Sequence, residues 1–488
     1  MSTMSTDAVP PPERPGFWSQ IQGLSRAFWM LNVMEMLERL AYYGVRVVIP
    51  IYIAQADEIH GLHFTPAQKG TIFMWWALVQ AGVPIFSGGF ADRYGYKKTI
   101  AFSIVFKMAG YLLMATQRTY GGFMLGCLVL AFGTAIFKPG VWGSLQRSMD
   151  KSTSSTGWGI FYMLVNIGGF LGPPLAHYLH GYSWPTVFYG CAAIVSLNFF
   201  MLFTYPGIDA GGERKGGFLR TAWITFSNLF QPRLLVFILI MSGFWLMFMQ
   251  LFDMLPNFIV DWVDSSSLVR AWHLPGALTT VTPRGTMITQ EWMINLDSFL
   301  IVGLVVLVSY LVSRMRRVQS IFIGIVIASA GLMLSGATMS GGLCLIGIAV
   351  FAFGEMLSSP KMNDYLGVIA PEDKKGLYMG YANMPTAIGW AYGSRLAGQL
   401  YESMGEKAGL ALRWLRAHGG VPAGVDRTNA IETVQRVSGL DAAAATRMLW
   451  TTYHPWQFWY PLVGIGVASA IAILFYGRWA SRYEAADI

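Results

Sequence analysis

The stretch EMLERLAYYGVR at residues 35–46 lies inside an apolar run from about residue 27 to residue 53. Such a run is long enough to cross a membrane as a helix, which takes about 20 residues. At 100° per residue, five polar side chains of the stretch share one stripe of that helix: Glu35, Glu38, Arg39, Tyr42 and Arg46. Each charge near the bilayer centre costs about 2.5–3.5 kcal/mol. The stripe therefore predicts a surface that faces protein or a water-filled path, and it marks a candidate functional site.

The composition is that of a membrane protein. Of the 488 residues, 54% are hydrophobic and only 12% are charged, whereas soluble domains carry about 25% charged residues. The net charge of +8 comes largely from Lys and Arg in short loops, which fits a positive-inside topology better than nucleic-acid binding. The three cysteines lie in separate apolar segments without metal or redox spacing. We expect an all-α polytopic membrane protein that is not an enzyme and has no cofactor or metal.

Apolar runs of about 20 residues predict twelve transmembrane helices. The first six are expected at about 25–53, 69–91, 98–117, 121–146, 157–179 and 184–205, and the second six at about 233–261, 296–314, 319–340, 342–369, 374–402 and 456–477. The even number and the basic inner loops predict that both termini are cytoplasmic. We expect a multi-pass protein of the plasma (inner) membrane.

The segment 206–232, which is basic and rich in Gly, divides the predicted helices into two six-helix bundles, 25–205 and 233–478. The tails 1–24 and 479–488 are expected to be cytoplasmic. Two bundles with a substrate site between them are typical of secondary transporters. Two long extracytoplasmic inserts, an irregular one at 262–295 and one at 404–455 with short helices at about 428–437 and 441–452, are expected to be caps or lids.

The loop after the second span, GGFADRYGYKK at residues 88–98, resembles the cytoplasmic loop signature of the major facilitator superfamily. A turn permitted by Gly, an acid near the helix termini and cations at the inner face account physically for the pattern. The resemblance implies the major facilitator fold, with twelve transmembrane helices in two six-helix bundles. It also implies that Asp92 and Arg93 hold the cytoplasmic side closed in the outward-open state.

Within that superfamily, residues 35–46 resemble the first-helix signature of proton-dependent oligopeptide transporters, with Leu40 where Phe is usual. Later segments match the same family in order: GTAIFKP at 133–139, FYMLVNIG at 161–168, FW at 244–245 and GEMLSSP at 354–360. The resemblance implies proton-coupled symport of di- and tripeptides by alternating access.

A short peptide is a zwitterion, so a selective site needs cations at one end and a carboxylate at the other. Arg46 and Lys138 are candidates for the peptide carboxylate, and Glu355 for the ammonium group. Three further candidate substrate-binding residues, which offer an amide or a flat wall, are Tyr42, Asn166 and Trp245. The alternatives are a structural buried ion pair for the first group and ordinary helix packing for the second.

Glu35, Glu38 and Arg39 are interpreted as the proton-coupling group, because two carboxylates at i and i+3 cannot both ionise cheaply in a low dielectric. A static salt bridge between the first and fourth spans is the alternative. The acid that the family carries on its seventh helix is replaced by Met249. Asp253, one turn later, either substitutes for it in proton coupling or is a solvated acid near the outer end.

These observations predict a proton-coupled symporter of short peptides or peptide-like zwitterions. Its expected partners are the substrate, protons and the lipid bilayer, without nucleic acid, and we expect a monomer. One alternative is an exporter or uniporter of another amphiphilic solute, such as a drug, an amino-acid conjugate or a cell-wall fragment, which Met249 favours. The other is a membrane receptor or scaffold that does not transport, which only the two inserts favour.

Overall fold

The computed structural model describes residues 17–150, 153–207, 231–312, 315–369 and 381–480, except for the side chains of some residues inside the helices, among them 85–94. Most of the predicted tails and of the 206–232 linker lie outside the described residues. In the first half the helices are α1 (Phe17–Gln22), α2 (Arg26–Ala54), α3 (Pro66–Tyr94), α4 (Tyr96–Thr116), α5 (Tyr120–Arg147), α6 (Ser154–His180) and α7 (Trp184–Leu202). The helices α2 to α7 match the six predicted spans to within three residues.

The charged stripe lies on α2, whose 29 residues extend over about 43 Å. The Ser25 side chain caps its start by accepting a hydrogen bond from the Phe28 amide. Helix α6 approaches α2 closely because Gly172 has no side chain, and a Cβ there would lie 2.6 Å from the Gly44 nitrogen. This close packing fixes α2 within the first half.

In the second half the helices are α8 (Pro232–Phe248), α9 (Gln250–Asp253), α10 (Leu255–Trp262), α11 (Ser266–Trp272), α12 (Gln290–Leu311), α13 (Arg317–Gly336), α14 (Gly341–Ile369), α15 (Met384–Leu400), α16 (Lys407–Ala417), α17 (Ala430–Ser438), α18 (Ala442–Tyr453) and α19 (Trp459–Ala480). The expectation of one continuous helix at 233–261 is wrong, because the chain breaks at Met249 and Met254. Pro256, in the first turn of α10, has no amide hydrogen to continue a helix from α9.

Both inserts have more structure than the sequence indicates. The first contains α11 and a two-stranded antiparallel hairpin, β1 (Thr279–Thr282) and β2 (Gly285–Ile288), with Thr279 opposite Ile288. The second contains the two predicted short helices, observed as α17 and α18, and also α16. Both inserts lie at the same end of the molecule, which we call the insert face. We call the opposite end, where α2 begins and α19 ends, the terminal face.

Each half has its own apolar core. One core is built mainly from α2 to α7 and the other mainly from α8 to α19. Each core also includes a few residues of the other half: Trp390 packs in the first core and Val47 in the second. Eight of the described helices or helix pairs are long and apolar enough to cross a membrane. Helix α2 is not among them because it carries the charged stripe. The molecule is thus a polytopic bundle of two six-helix halves.

The halves meet at the insert-face ends of their helices. Helix α3 packs against α15 and α6 packs against α12. The hydrogen bonds that link α2 or α3 to the second half involve positions from Arg46 to Thr71, in the insert-face parts of these two helices and the loop between them. The structure is therefore closed at the insert face.

Candidate functional site

The charged stripe of α2 forms a buried cluster within the first half. Arg39 contacts both acids, with its Nε 3.3 Å from Glu35 Oε1 and its Nη2 paired with Glu38 Oε2. All three residues are at most 6% exposed. The structure thus brings together the three residues that the sequence assigns to proton coupling.

A lysine that sequence reasoning missed completes the cluster. Lys107 of α4 lies with its Nζ 2.9 Å from Glu38 Oε1 and 3.5 Å from the centre of the Phe137 ring. Lys138 of α5, which directly follows Phe137, is close enough to interact electrostatically with Glu35, Glu38 and Arg39. In the sequence, Lys107 is a single charge inside the apolar run of α4. A charge at such a place in a membrane helix marks a candidate functional residue.

Arg46 is paired with an acid of the opposite half. Its guanidinium forms an ion pair with the Asp253 carboxylate, and both side chains are almost fully buried. The other oxygen of Asp253 accepts hydrogen bonds from Trp390 Nε1, at 3.1 Å, and from the Ser394 hydroxyl. Asp253 is therefore a fully paired buried acid, and the structure joins it to Arg46, two turns along α2 from Arg39 and about 10 Å away.

The break between α9 and α10 provides a second contact at this point. The backbone oxygen of Asp253 accepts a hydrogen bond from Lys69 Nζ at 2.6 Å, and Lys69 also donates to Asn257 Oδ1 at 2.6 Å. Lys69 is fully buried, although it lies in the first turn of α3. Lys69 of the first half thus donates to a carbonyl oxygen at the end of α9, where carbonyl groups lack donors from their own helix.

Polar contacts continue from there to the insert face. Asn257 Nδ2 donates to Gln55 Oε1 at 3.2 Å, and Gln55 Nε2 donates to Asp261 Oδ1 at 2.9 Å. The other oxygen of Asp261 accepts a hydrogen bond from the Tyr401 hydroxyl at 2.6 Å. Together with the Arg46–Asp253 pair and Lys69, these contacts join the two halves.

The second insert is fastened to the first half by Arg427. Its guanidinium pairs with Glu406 and donates to the backbone oxygens of His63, at 3.0 Å, and Ala54, at 3.3 Å. We call these contacts the Arg427 latch. Glu406 is 4% exposed, and burial raises the pKa of its carboxyl to about 7 against the opposing attraction of Arg427. Ionisation of Glu406 is therefore linked to the latch.

Glu355 occupies the midpoint of α14 and is not paired with a cation of the cluster on α2. One of its carboxyl oxygens, Oε2, has no hydrogen-bond partner in the described part of the chain. Across the junction between the halves it interacts electrostatically with Tyr43 and Tyr162. Within its own half it interacts with Asp297 of α12, a residue that sequence reasoning missed.

The remaining predicted residues occupy different surroundings. Tyr42 is 6% exposed and its hydroxyl accepts a hydrogen bond from Gln80. The next residue, Tyr43, is the one that interacts electrostatically with Glu355. Asn166 donates to the backbone oxygen of Tyr162, on its own helix, at 2.7 Å. Trp245 donates through Nε1 to Met362 Sδ at 3.4 Å.

The side chains of Asp92 and Arg93 lie outside the described residues, although the backbone there is the end of α3. Among the residues that the structure describes, no group of three or more His, Cys, Asp or Glu side chains could hold a metal ion. The described site is thus built from ion pairs, hydrogen bonds and aromatic rings.

Comparisons with known proteins place the fold. The family model described as Major Facilitator Superfamily matches residues 31–394. The multidrug resistance protein MdtH of Yersinia enterocolitica is 24% identical over 395 residues, which cover 79% of this chain and 88% of that protein, and MdtH of Yersinia pestis matches to the same extent.

Among solved structures, a POT family transporter crystallised with 5-aminolevulinic acid has a TM-score of 0.68 and 15% identity, and the match covers 94% of this chain and 99% of that one. The nucleoside transporter NupG has a TM-score of 0.66 and 14% identity over 93% of this chain and 100% of that one. At these identities the solved structures are evidence for a shared fold and not for a shared substrate.

Proposed function

The chain belongs to the major facilitator superfamily, and we propose that this transporter is a proton-coupled symporter of short peptides or peptide-like zwitterions. The substrate site would lie between the halves, beside the insert-face contacts and towards the terminal face. Arg46 and Lys138 would serve its carboxylate end and Glu355 its ammonium end. Tyr42, Asn166 and Trp245 remain candidate walls of the site.

The observation that carries this proposal is the buried Arg46–Asp253 pair between the halves. A buried guanidinium needs an anion, since leaving it unpaired costs about 3–5 kcal/mol. A substrate carboxylate supplies such an anion, and so competes with Asp253 for Arg46. Protonation of Asp253 would release Arg46 to the substrate and remove a contact that closes the insert face. The same exchange would therefore link proton, substrate and conformation.

The cluster on α2 supplies a second proton-sensitive exchange. Arg39 forms ion pairs with both Glu35 and Glu38, and Glu38 forms ion pairs with both Arg39 and Lys107. A proton on either acid frees a cation for another partner, because the number of buried charges of each sign must stay matched. Lys138, which interacts electrostatically with Glu35, Glu38 and Arg39, is an alternative partner.

The orientation follows if both termini are cytoplasmic, as the distribution of Lys and Arg in the loops indicates. The insert face is then extracytoplasmic, and the contacts from Arg46 to the Arg427 latch belong to a carrier that is closed to the outside. The proposed location is the plasma membrane. Opening to the outside would require the Arg46–Asp253 pair, the Lys69 contacts and the latch to separate together.

The experiment is uptake of radiolabelled trialanine by vesicles containing the purified protein, with and without an inward proton gradient. We expect gradient-driven accumulation that Glu38→Gln and Lys138→Ala abolish. Asp253→Asn should lower accumulation and preserve counterflow, because counterflow needs substrate exchange but no net proton movement. Glu432→Gln, at an exposed position of α17, is the matched control and should behave as the wild type.

Two results would contradict the proposal. One is the absence of trialanine uptake or counterflow by a protein that is folded in the vesicles. The other is uptake of the same extent with and without the gradient, which would leave a uniporter. Wild-type behaviour of Asp253→Asn would separately exclude this residue from coupling while leaving the rest of the proposal standing.

A second candidate function rests on the similarity to MdtH, described as a multidrug resistance protein, over most of both chains. Under this alternative the same halves export an amphiphilic solute. Inside-out vesicles with an acidic interior would then accumulate ethidium, and unlabelled trialanine would not compete. Ethidium accumulation without any peptide transport would favour this function over peptide symport.

A further inference from the structure

The second half contains two buried acids that the proposed mechanism does not use as a pair. Asp297 lies on α12 and Glu355 on α14, and these helices pack against each other. The two carboxyl groups interact electrostatically. Glu355 is 14 residues from either end of α14, about 21 Å, so it lies near the middle of the membrane.

Both acids have oxygen atoms without partners. Asp297 is 2% exposed, and neither its Oδ1 nor Glu355 Oε2 has a hydrogen-bond partner within the described ranges. Asp253, the buried acid between the halves, is different, because Arg46, Trp390 and Ser394 hold both of its oxygens. A buried carboxylate without a donor is costly, and a second negative charge beside it adds to that cost.

Among the described residues, the groups around the pair supply no opposite charge. Those that interact with Glu355 from the first half are Tyr43 of α2 and Tyr162 of α6, and neither is a cation. Arg39 lies near Tyr43 but contacts Glu35 and Glu38.

The other titratable groups on the packed helices face elsewhere. His177 of α6 lies 4.0 Å from Glu291, about 9 Å along α12 from Asp297. On α10, Asp261 is bonded to Gln55 and Tyr401. Arg270 lies on α11, which has few contacts with α14, and Arg317 is the first residue of α13, which packs along α14. Among the residues that the structure describes, neither acid is therefore paired with a cation.

We propose that Asp297 and Glu355 share one proton and form a proton-binding site of the second half, separate from Glu35 and Glu38. The proton neutralises one of the two carboxylates and so removes the repulsion between two like charges in a buried place. The proton comes from water and returns to water when the site opens, and no other bond changes. With the proton shared, the pair still carries one negative charge, which suits it to receive a substrate ammonium group while the proton stays bound. This last step rests on the proposed peptide symport, whereas proton binding by the pair does not.

The first test is independent of transport. Infrared difference spectra of the purified full-length protein, recorded while the pH is raised, follow the C=O band of protonated carboxyls and its shift in heavy water. We expect the wild type to retain a deuterium-sensitive band above neutral pH. In Asp297→Asn and in Glu355→Gln that band should disappear at lower pH, because the remaining acid no longer faces a like charge. Glu432→Gln, at an exposed position of α17, is the control and should leave the band unmoved.

The proposal is overturned if the wild type shows no such band above neutral pH, or if both variants lose it at the wild-type pH. Either single variant that folds is sufficient for the comparison, since each removes one member of the same pair.

The second test measures the transported proton. With trialanine as the probe, Asp297→Asn should reduce accumulation about tenfold for each pH unit of the gradient, because one proton fewer is coupled, while counterflow continues. Unchanged accumulation by Asp297→Asn would contradict the transport role of the pair. Absence of trialanine transport by the wild type would refute peptide symport, and the infrared result would still decide whether the pair binds a proton.

Discussion

The closed insert face depends on a backbone contact between the halves at Gly70. A Cβ at this position of α3 would lie 2.3 Å from the backbone oxygen of Ser394 and 3.3 Å from the Cα of Gly398, both on α15. These are backbone atoms of the opposite half and cannot rotate away. Gly70→Ala therefore requires α3 and α15 to separate by about 1 Å, to reach ordinary van der Waals distance.

The size of the effect follows from the location of the clash. Overpacking at a close contact costs about 1–3 kcal/mol. The higher helix propensity of Ala, about 0.5–1 kcal/mol, applies equally to the open and closed states and cancels between them. The closed state should thus lose a factor of about 5–150 in population relative to the open state. Separation also weakens the neighbouring hydrogen bond from the Ala67 amide to Glu402 Oε2, which is 2.9 Å long.

The assay is a distance distribution between spin labels at Ile59 and Val437, two exposed positions at the insert face that belong to opposite halves. We expect Gly70→Ala to move the distribution towards longer distances than the wild type. Gly82→Ala is the control, because a Cβ at Gly82 of the same helix would meet nothing within 4 Å. A wild-type distribution for Gly70→Ala, or an equal shift for Gly82→Ala, would refute the argument that this contact holds the insert face closed.

Two further predictions use the same preparations. The pKa of Glu406 is raised to about 7 by burial in the closed latch, so the closed state binds the proton more tightly and acidification stabilises that state. Below about pH 7 the population of the closed state relative to the open state should rise roughly tenfold per pH unit. The spin-label distance should therefore shorten as the pH falls from about 8 to about 6. Glu406→Gln should give the short distance at both pH values, and a wild-type pH response in this variant would contradict the assignment. Lys107→Met should lower the free energy of unfolding by about 1.5–3 kcal/mol through loss of the charged hydrogen bond to Glu38, as measured by thermal denaturation. Lys98→Met, at an exposed position of the same helix, should cost little, and equal losses in the two variants would show that the Glu38 contact is not the cause.

The charged stripe and the bounds of the first six spans could be predicted from the sequence because both depend on local pattern. The period of α2 placed Glu35, Glu38 and Arg39 on one face, and their mutual ion pairs follow from that spacing. Lys107 was also within reach of sequence reasoning, since a lone charge in an apolar span requires a partner.

Other parts of the site depend on contacts between the halves or on exact helix bounds. The predicted start of the eighth span at residue 296 put Asp297 at the membrane edge, whereas α12 begins at Gln290 and Asp297 lies two turns inside. The burial of Lys69 depends on the helix break near Asp253 in the other half, which local periodicity does not reveal. Helix α16 and the hairpin of the first insert are likewise held by tertiary contacts.

The three regions of the site are connected by one rigid element. Along α2, Arg39 contacts Glu35 and Glu38 of its own half, Tyr43 lies near Glu355, and Arg46 holds Asp253. One helical turn separates each of these positions from the next, about 5.4 Å. Because α2 is packed tightly on α6 through Gly44 and Gly172, it cannot rotate on its own without a backbone clash. If the transporter is proton-coupled as proposed, a proton or substrate that changes the partner of one residue acts on the other two by moving the first half as a body relative to the second. Such coupling requires no relay of protons along α2, only two arrangements of the halves in which these residues have different partners.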